Sequence, residues 1–275
     1  MSDDRSLQAA ALPSARSDEA WSAFDGRRPV VFLDYDGTLT PIVVHPDLAV
    51  LSIEARAALE RLDAVTTVAI LSGRDADDVM RKIGVEGLYY AGSHGFDIRS
   101  PSGEAVGGDL DRFDSFLPVL DAAEHDLRIE LGDIPGSNVE RKRFAIAVHF
   151  RQVPEEQHAT VAEVVERIAS EHPSLRVAGG KMIFELRPDV EWDKGTALRW
   201  LLTEMELDAP DVLPVYIGDD VTDEDAFREV EGRGLGIVVG RDERPTRATY
   251  ALEDTDEVRL FLEELRTRVV GRGTA

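Results

Sequence analysis

Pro29-Val-Val-Phe-Leu-Asp34-Tyr-Asp36-Gly-Thr38 is the stretch on which the fold turns. Its apolar run is continuous rather than alternating, the pattern of a parallel strand buried on both faces. The run stops abruptly at two aspartates spaced i and i+2, and Gly37 permits a tight turn there. Past the C-terminal end of a buried strand, that spacing lets both carboxylates reach the crevice where open α/β sheets bind ligands. Paired carboxylates suit a nucleophile with an acid/base, or oxygen ligands for a hard cation. Taken alone, an Asp-x-Asp is more readily a pair of turn-forming or helix-capping residues.

The flanking sequence repeats the strand-then-helix rhythm. A helix opens at 52, where Ser52 can cap it. A second buried strand covers 66–71, an acidic helix start 75–78 and a third strand 88–91. This spacing predicts a doubly wound α/β sheet. After Ser100 the rhythm changes to a helix over 109–131, a strand over 144–150, a helix over 154–172 and a hairpin around Gly179-Gly180. The α/β rhythm returns with a helix over 195–206, a strand over 212–217, a helix over 223–230 and a strand over 235–239. A last amphipathic helix is expected over about 256–269. The expected architecture is a Rossmann-like core built from 28–100 and 189–275. An α+β cap is inserted at 101–188, and 1–27 is a polar lead-in with a short helix near 17–24.

Every major core strand ends in chemistry, which reverses the odds on the Asp-x-Asp. Ser72-Gly73-Arg74 offers a hydroxyl and a cation after the second strand. Lys194 places an ammonium at the start of a helix, and Gly218-Asp219-Asp220-Val-Thr-Asp223 follows the fourth strand with three carboxylates. Such a set matches a Mg²⁺ site beside a phosphate site, with metal and lysine neutralising phosphoryl oxygens.

Composition narrows the partners. The 275 residues carry 31 Lys+Arg against 54 Asp+Glu, a formal charge of −23. A surface so acidic disfavours nonspecific nucleic-acid binding and anionic membranes. Cysteine is absent, which removes disulfides and thiolate chemistry. No apolar run reaches membrane-spanning length, and the N-terminus has no secretory pattern, so a cytoplasmic protein is expected. Lysine occurs only at Lys82, Lys142, Lys181 and Lys194. Excess carboxylate with scarce lysine fits a high-salt cytoplasm, and a GC-rich genome favouring Arg codons fits equally well. One island runs against the trend: 136–151 holds Arg141, Lys142, Arg143 and Arg151 against Glu140 alone, a local net charge of +3. It fits the approach of an anionic substrate, and a solvated strand flank equally.

Asp34-Tyr-Asp36-Gly-Thr-Leu39, Ser72, Lys194 and Gly218-Asp-Asp220 together resemble the four motifs of the haloacid dehalogenase-like phosphatases. The insert resembles their second type of cap. Gly218-Asp-Asp-Val-Thr-Asp-Glu-Asp-Ala-Phe227, Ala91-Gly-Ser-His-Gly95 and Gly180-Lys-Met-Ile-Phe-Glu-Leu-Arg-Pro188 are similar to segments of the trehalose-6-phosphate phosphatases. The resemblance covers about 29–270.

It implies that Asp34 is the nucleophile, that Asp36 is the acid/base, and that Ser72 and Lys194 hold the transferred group. It further implies Mg²⁺ between Asp34, the Asp36 carbonyl and Asp219, supported by Asp220 and Asp223. Arg74 would contact the anionic substrate, and Glu140, Lys142 and Glu185 in the cap would bind sugar hydroxyls. The family often has Tyr where this chain has Phe150. The expected reaction is hydrolysis of trehalose 6-phosphate through an aspartyl-phosphate, with possible functional coupling to a trehalose-6-phosphate synthase. Two alternatives stand beside it: a phosphatase for another sugar phosphate, such as a glucosylglycerol or sucrose phosphate, and a catalytically silent sugar-phosphate-binding domain.

Overall fold

The computed structural model describes residues 7–106, 108–180 and 182–272. Two compact units divide the chain, one formed by Met1–Ala105 with Trp192–Ala275 and the other by Val106–Glu191.

The first unit opens with β1 (Leu7–Gln8) and α1 (Asp18–Ser22), followed by β2 (Arg28–Leu33), α2 (Ile53–Asp63), β3 (Thr67–Leu71), α3 (Ala76–Ile83), β4 (Tyr89–Gly92) and β5 (Asp97–Arg99). The second unit contains α4 (Leu117–Leu131), β6 (Asn138–Lys142), β7 (Ala145–His149), α5 (His158–Glu171), β8 (Leu175–Gly180) and β9 (Ile183–Pro188). The chain then returns to the first unit with α6 (Lys194–Glu204), β10 (Val212–Gly218), α7 (Glu224–Val230), β11 (Leu235–Val239), β12 (Pro245–Thr246), β13 (Tyr250–Leu252) and α8 (Thr255–Arg272).

Seven strands form the core sheet in the order β13-β11-β10-β2-β3-β4-β5, parallel except for β5 against β4. Five of the six β2 residues and all seven of β10 are buried, as a strand covered by helices on both faces requires. From β2 the chain winds outward through β3 and β4, and after the insert it winds the other way through β10, β11 and β13. The switch point therefore lies between β2 and β10, the place where doubly wound sheets open a crevice at their carboxyl ends. Asp34 and Asp219 each follow one of these two strands.

The N-terminal segment differs from the lead-in expected for 1–27. Among its described residues, Ala9, Leu12, Ala15, Trp21 and Phe24 are buried, and β1 pairs antiparallel with β12. Trp21 stacks on Phe261 of α8 with ring centroids 5.0 Å apart. Small alanines carry no strong periodic signal, so their burial is invisible in a polar-looking stretch.

In the second unit, β6-β7-β9-β8 form an antiparallel sheet that buries Val139, Ile146, Val148 and Leu186 against α4 and α5. The helix expected from 109 starts as 3-10 turns over Gly108–Phe116 and becomes α-helical at Leu117, with Pro118 in the first turn. Proline is suited to that position because its missing N–H has no partner there anyway. Strands β8 and β9 run further than the expected hairpin. Lys181, part of the quoted 180–188 segment, lies outside the described residues. Among the described residues, no helix is long and apolar enough to cross a membrane.

Candidate active site

Asp34 leaves β2 with its backbone N–H donating to the Ile217 carbonyl at 2.9 Å, so β10 fixes where its side chain begins. The carboxylate is buried, and its Oδ1 accepts from the Lys194 ammonium at 2.8 Å. Lys194 is the first residue of α6, whose N-terminus is capped by Asp193 through the Thr196 N–H at 2.7 Å. Gly195 lets α6 approach α7 closely, since a Cβ there would collide with the Asp225 carbonyl oxygen. The ammonium also donates to Asp223 Oδ1 at 2.7 Å.

Asp223 is fully buried and heavily engaged. Its Oδ1 accepts from Tyr216 Oη at 2.5 Å as well as from Lys194, and its Oδ2 accepts from the Asp220 N–H at 2.9 Å. That arrangement makes Asp223 an anchor for Lys194. Asp220 is exposed and completes a capping box with Asp223 at the start of a short 3-10 turn. Asp219 receives Thr38 Oγ1 at 3.5 Å, and its carboxylate fills the space above Gly37, where φ is +81° and a Cβ would collide with it.

Ser72 is buried after β3, with its Oγ accepting from the Arg74 N–H at 3.2 Å. Its loop is held by the next one: Ser93 N–H donates to the Arg74 carbonyl at 2.7 Å, and His94 N–H to the Ser72 carbonyl at 2.9 Å. Ser93 and His94 both adopt positive φ, of 49° and 58°, a strained geometry for residues with a Cβ. Arg74 grips Asp36 with both arms of its fork, Nε to Oδ2 at 2.6 Å and Nη2 to Oδ1 at 2.7 Å, and reaches Asp78 at 3.0 Å. The cation sequence reasoning assigned to substrate is thus engaged with the expected acid/base.

Of the residues singled out in sequence, Asp34, Lys194, Asp219 and Asp223 meet in one cluster, and Asp36 joins Arg74 beside Ser72. Sequence reasoning missed Tyr216 and Asp78. Tyr216 did leave a signal, because a tyrosine in the middle of a fully buried strand needs a partner for its hydroxyl.

One carboxylate oxygen from each of Asp34, Asp219 and Asp223 lies within 4.8 Å of the others, a spacing that could hold a metal ion. The electrostatics fit a divalent cation. Three carboxylates against one ammonium leave an excess of two negative charges in a buried site. Burial, followed by carboxylate neighbours, pushes Asp219 up to about 8. Burial likewise pushes Asp34 up to about 7, against the lowering pull of Lys194. Burial disfavours the Lys194 ammonium, but Asp223 and Asp34 outweigh it and hold its pKa above the usual lysine range.

The metal-free protein is therefore expected to lose stability as pH rises from about 4 to 8. Across that window the folded state retains protons on Asp34 and Asp219 that the unfolded chain, with carboxyl groups near 3.8, has already released. Binding a divalent cation removes the penalty. The gap in melting temperature between metal-loaded and EDTA-treated protein should widen with pH over this range, and a constant gap would contradict the charge count.

In the second unit, Glu140, Ala147 and Glu185 stand abreast on β6, β7 and β9. Directly paired residues share a face, so the two glutamates flank a small alanine on the side opposite the buried valines and isoleucine. Lys142 Nζ donates to Glu185 Oε1 at 2.8 Å, and His149 Nε2 lies 2.8 Å from Glu140 Oε2. Phe150 stacks on Phe184 with centroids 4.9 Å apart.

A doubly wound sheet that carries Asp34, Asp36, Ser72 and Asp219 past its strand ends, and meets there a lysine from the start of a helix, is the architecture of a haloacid dehalogenase-like hydrolase. A family model described as trehalose-phosphatase matches residues 32–257. The chain belongs to the trehalose-phosphatase family. It is 43% identical over 274 residues to probable trehalose-phosphate phosphatase D of Arabidopsis thaliana, covering 96% of this chain and 74% of that protein. It is 44% identical over 246 residues to the trehalose-phosphate phosphatase of Mycobacterium marinum, covering 88% of this chain and 62% of that protein. Among solved structures, a trehalose-6-phosphate phosphatase related protein superposes with a TM-score of 0.77 at 29% identity, covering 88% of this chain and 99% of the other. The Aspergillus fumigatus trehalose-6-phosphate phosphatase superposes with a TM-score of 0.66 at 28% identity, covering 94% and 100%.

Proposed function

We propose that this protein hydrolyses trehalose 6-phosphate to trehalose and phosphate, in the cytoplasm and as a step in making trehalose. The observation that carries the reading is the buried Asp34 carboxylate, held by Lys194 at the mouth of the crevice in a chain so similar to trehalose-phosphate phosphatases. Asp34 and Asp219, with the Asp36 main-chain carbonyl, would hold a divalent cation, Mg²⁺ in our reading, with Asp220 and Asp223 supporting it directly or through water. When bound, the cation supplies neutralising charge to the phosphoryl oxygens.

An Asp34 carboxylate oxygen attacks phosphorus, and the bond from phosphorus to the sugar oxygen breaks. Asp36 gives a proton to that departing oxygen. It then takes a proton from the water that attacks the aspartyl-phosphate, which releases phosphate and regenerates the Asp34 carboxylate. Because Arg74 occupies both Asp36 oxygens, the fork must open before Asp36 can reach the sugar oxygen. Arg74, still paired with Asp78, then turns its fork to the anionic substrate. Ser72 donates to a phosphoryl oxygen, and Lys194 keeps Asp34 aimed.

In the second unit, Glu140 and Glu185 accept from sugar hydroxyls, with Lys142 as donor. A phosphate-release assay over a panel of sugar phosphates, with Mg²⁺ and with EDTA, tests the reading. Trehalose 6-phosphate should lead the panel by at least tenfold, and only with metal. Comparable rates on sucrose phosphate or glucosylglycerol phosphate would sink the substrate, and no release on any would favour a silent binding domain. Glu185→Gln should raise KM for trehalose 6-phosphate by roughly tenfold with little change in kcat, the loss of about one charged hydrogen bond. An unchanged KM would remove Glu185 from the sugar site. Coupling to a synthase supplying the substrate fits the same role.

A further inference from the structure

A cavity of about 330 Å³ opens in the first unit where β2 and β3 begin, at the opposite end of the sheet from Asp34. The six residues of β2 separate the two places by roughly 20 Å at about 3.3 Å per residue. Arg27, Arg28 and Arg268 line it together with Phe24, Val65 and Val269 among its twelve described lining residues, none of which is acidic. With 54 acidic residues in 275, a random dozen would contain about two. A wall carrying three arginines and no carboxylate is out of character for this chain.

The three cations are not equivalent. Arg28 pairs with Asp211 at 2.9 Å, and Arg268 with Glu264 at 2.9 Å. Arg27 instead donates through Nη2 to the Val212 carbonyl at 2.8 Å and to the Arg233 carbonyl. Among the described residues no carboxylate pairs with it. Two carbonyls take the Nη2 hydrogens without neutralising the guanidinium, which leaves the three donors on Nε and Nη1 for a planar anion. Thr66 and Thr67 add polar lining, while buried Phe24 and Val30 form an apolar back wall. The volume lies at the lower end of small-molecule sites, which are mostly apolar with a few placed polar groups.

We propose that this cavity is a second ligand site, which takes a small organic anion: one carboxylate, sulfonate or phosphate group on an apolar body, with Arg27 as the anion's main partner. Its place in the fold makes it independent of the phosphatase reading. The test uses 8-anilinonaphthalene-1-sulfonate as the probe and N-phenyl-1-naphthylamine as the same body without charge, both followed by fluorescence titration on the full chain. The sulfonate should saturate a single site at least fivefold more tightly than the neutral amine. Arg27→Gln, which removes the charge and the guanidinium fork, should weaken the sulfonate at least fivefold, and Val65→Trp should do so by filling the cavity. Asp34→Asn should leave it unchanged. Equal binding of charged and neutral probes would overturn the proposal, as would binding that survives Val65→Trp or is lost with Asp34→Asn. Should Arg27→Gln fail to fold, the probe comparison and Val65→Trp decide alone.

Discussion

Replacing Asp34 by Asn is expected to lower phosphate release by at least about 10⁴-fold, in the range seen when an enzyme loses its nucleophile, while the metal-free protein melts no lower than the native one. The two halves of that result come from one geometry. The amide oxygen of Asn can still accept from Lys194, so the 2.8 Å contact has a replacement. The cluster of Asp34, Asp219 and Asp223 meanwhile drops from three carboxylates to two beside the same ammonium. Less buried negative charge remains uncompensated, and the pressure that lifts Asp219 to about 8 is eased. What disappears is the oxygen anion that attacks phosphorus. Rapid acid quenching during turnover with labelled substrate should trap a phosphoryl group on the native protein and none on the variant. Retention of more than a hundredth of native turnover would remove Asp34 as nucleophile. A marked fall in melting temperature would mean that the loss was one of folding rather than chemistry.

The central strand and its two aspartates were legible because a parallel strand buried on both faces writes itself as an unbroken apolar run, and β2 does so before Asp34. The same holds for β3, β10 and β11. The short edge strand β5 and the paired ends of β1 and β12 have too few residues for any period to show. Positions along the chain gave the parts of the site but not their pairings. Nothing in the spacing of Arg74 and Asp36, 38 residues apart, says that the fork closes on that carboxylate. Asp220 is a different case. Its i,i+3 relation to Asp223 is a capping-box pattern that could have been read in the sequence, and it explains why this carboxylate turns to the helix start. Glu140 and Glu185 become neighbours only through β7, whose Ala147 pairs with both, and that register is a property of the folded sheet.

Lys194→Met should cost the metal-free protein about 3–5 kcal/mol, the scale for breaking a buried ion pair by removing one partner. The ammonium is almost wholly buried and bonded to both Asp34 and Asp223, so the variant leaves three carboxylates with no buried cation among them. Methionine fills the volume but supplies neither donor. Adding Asp223→Asn should return part of the loss, because the second change removes a charge that the first left uncompensated. The double variant should therefore be more stable than the sum of the two single effects, with a coupling of about 1–3 kcal/mol. Turnover should follow neither pattern. It should fall by about 10²–10³-fold in Lys194→Met, the scale for losing one preorganised electrostatic group, and stay low in the double variant, since Asp34 has lost the donor that aims it. Urea denaturation in EDTA, with phosphate release measured on the same samples under Mg²⁺, separates the two effects. Strict additivity of the stabilities would mean that Asp223 does not balance Lys194, and recovery of turnover along with stability would mean that Lys194 serves the fold alone.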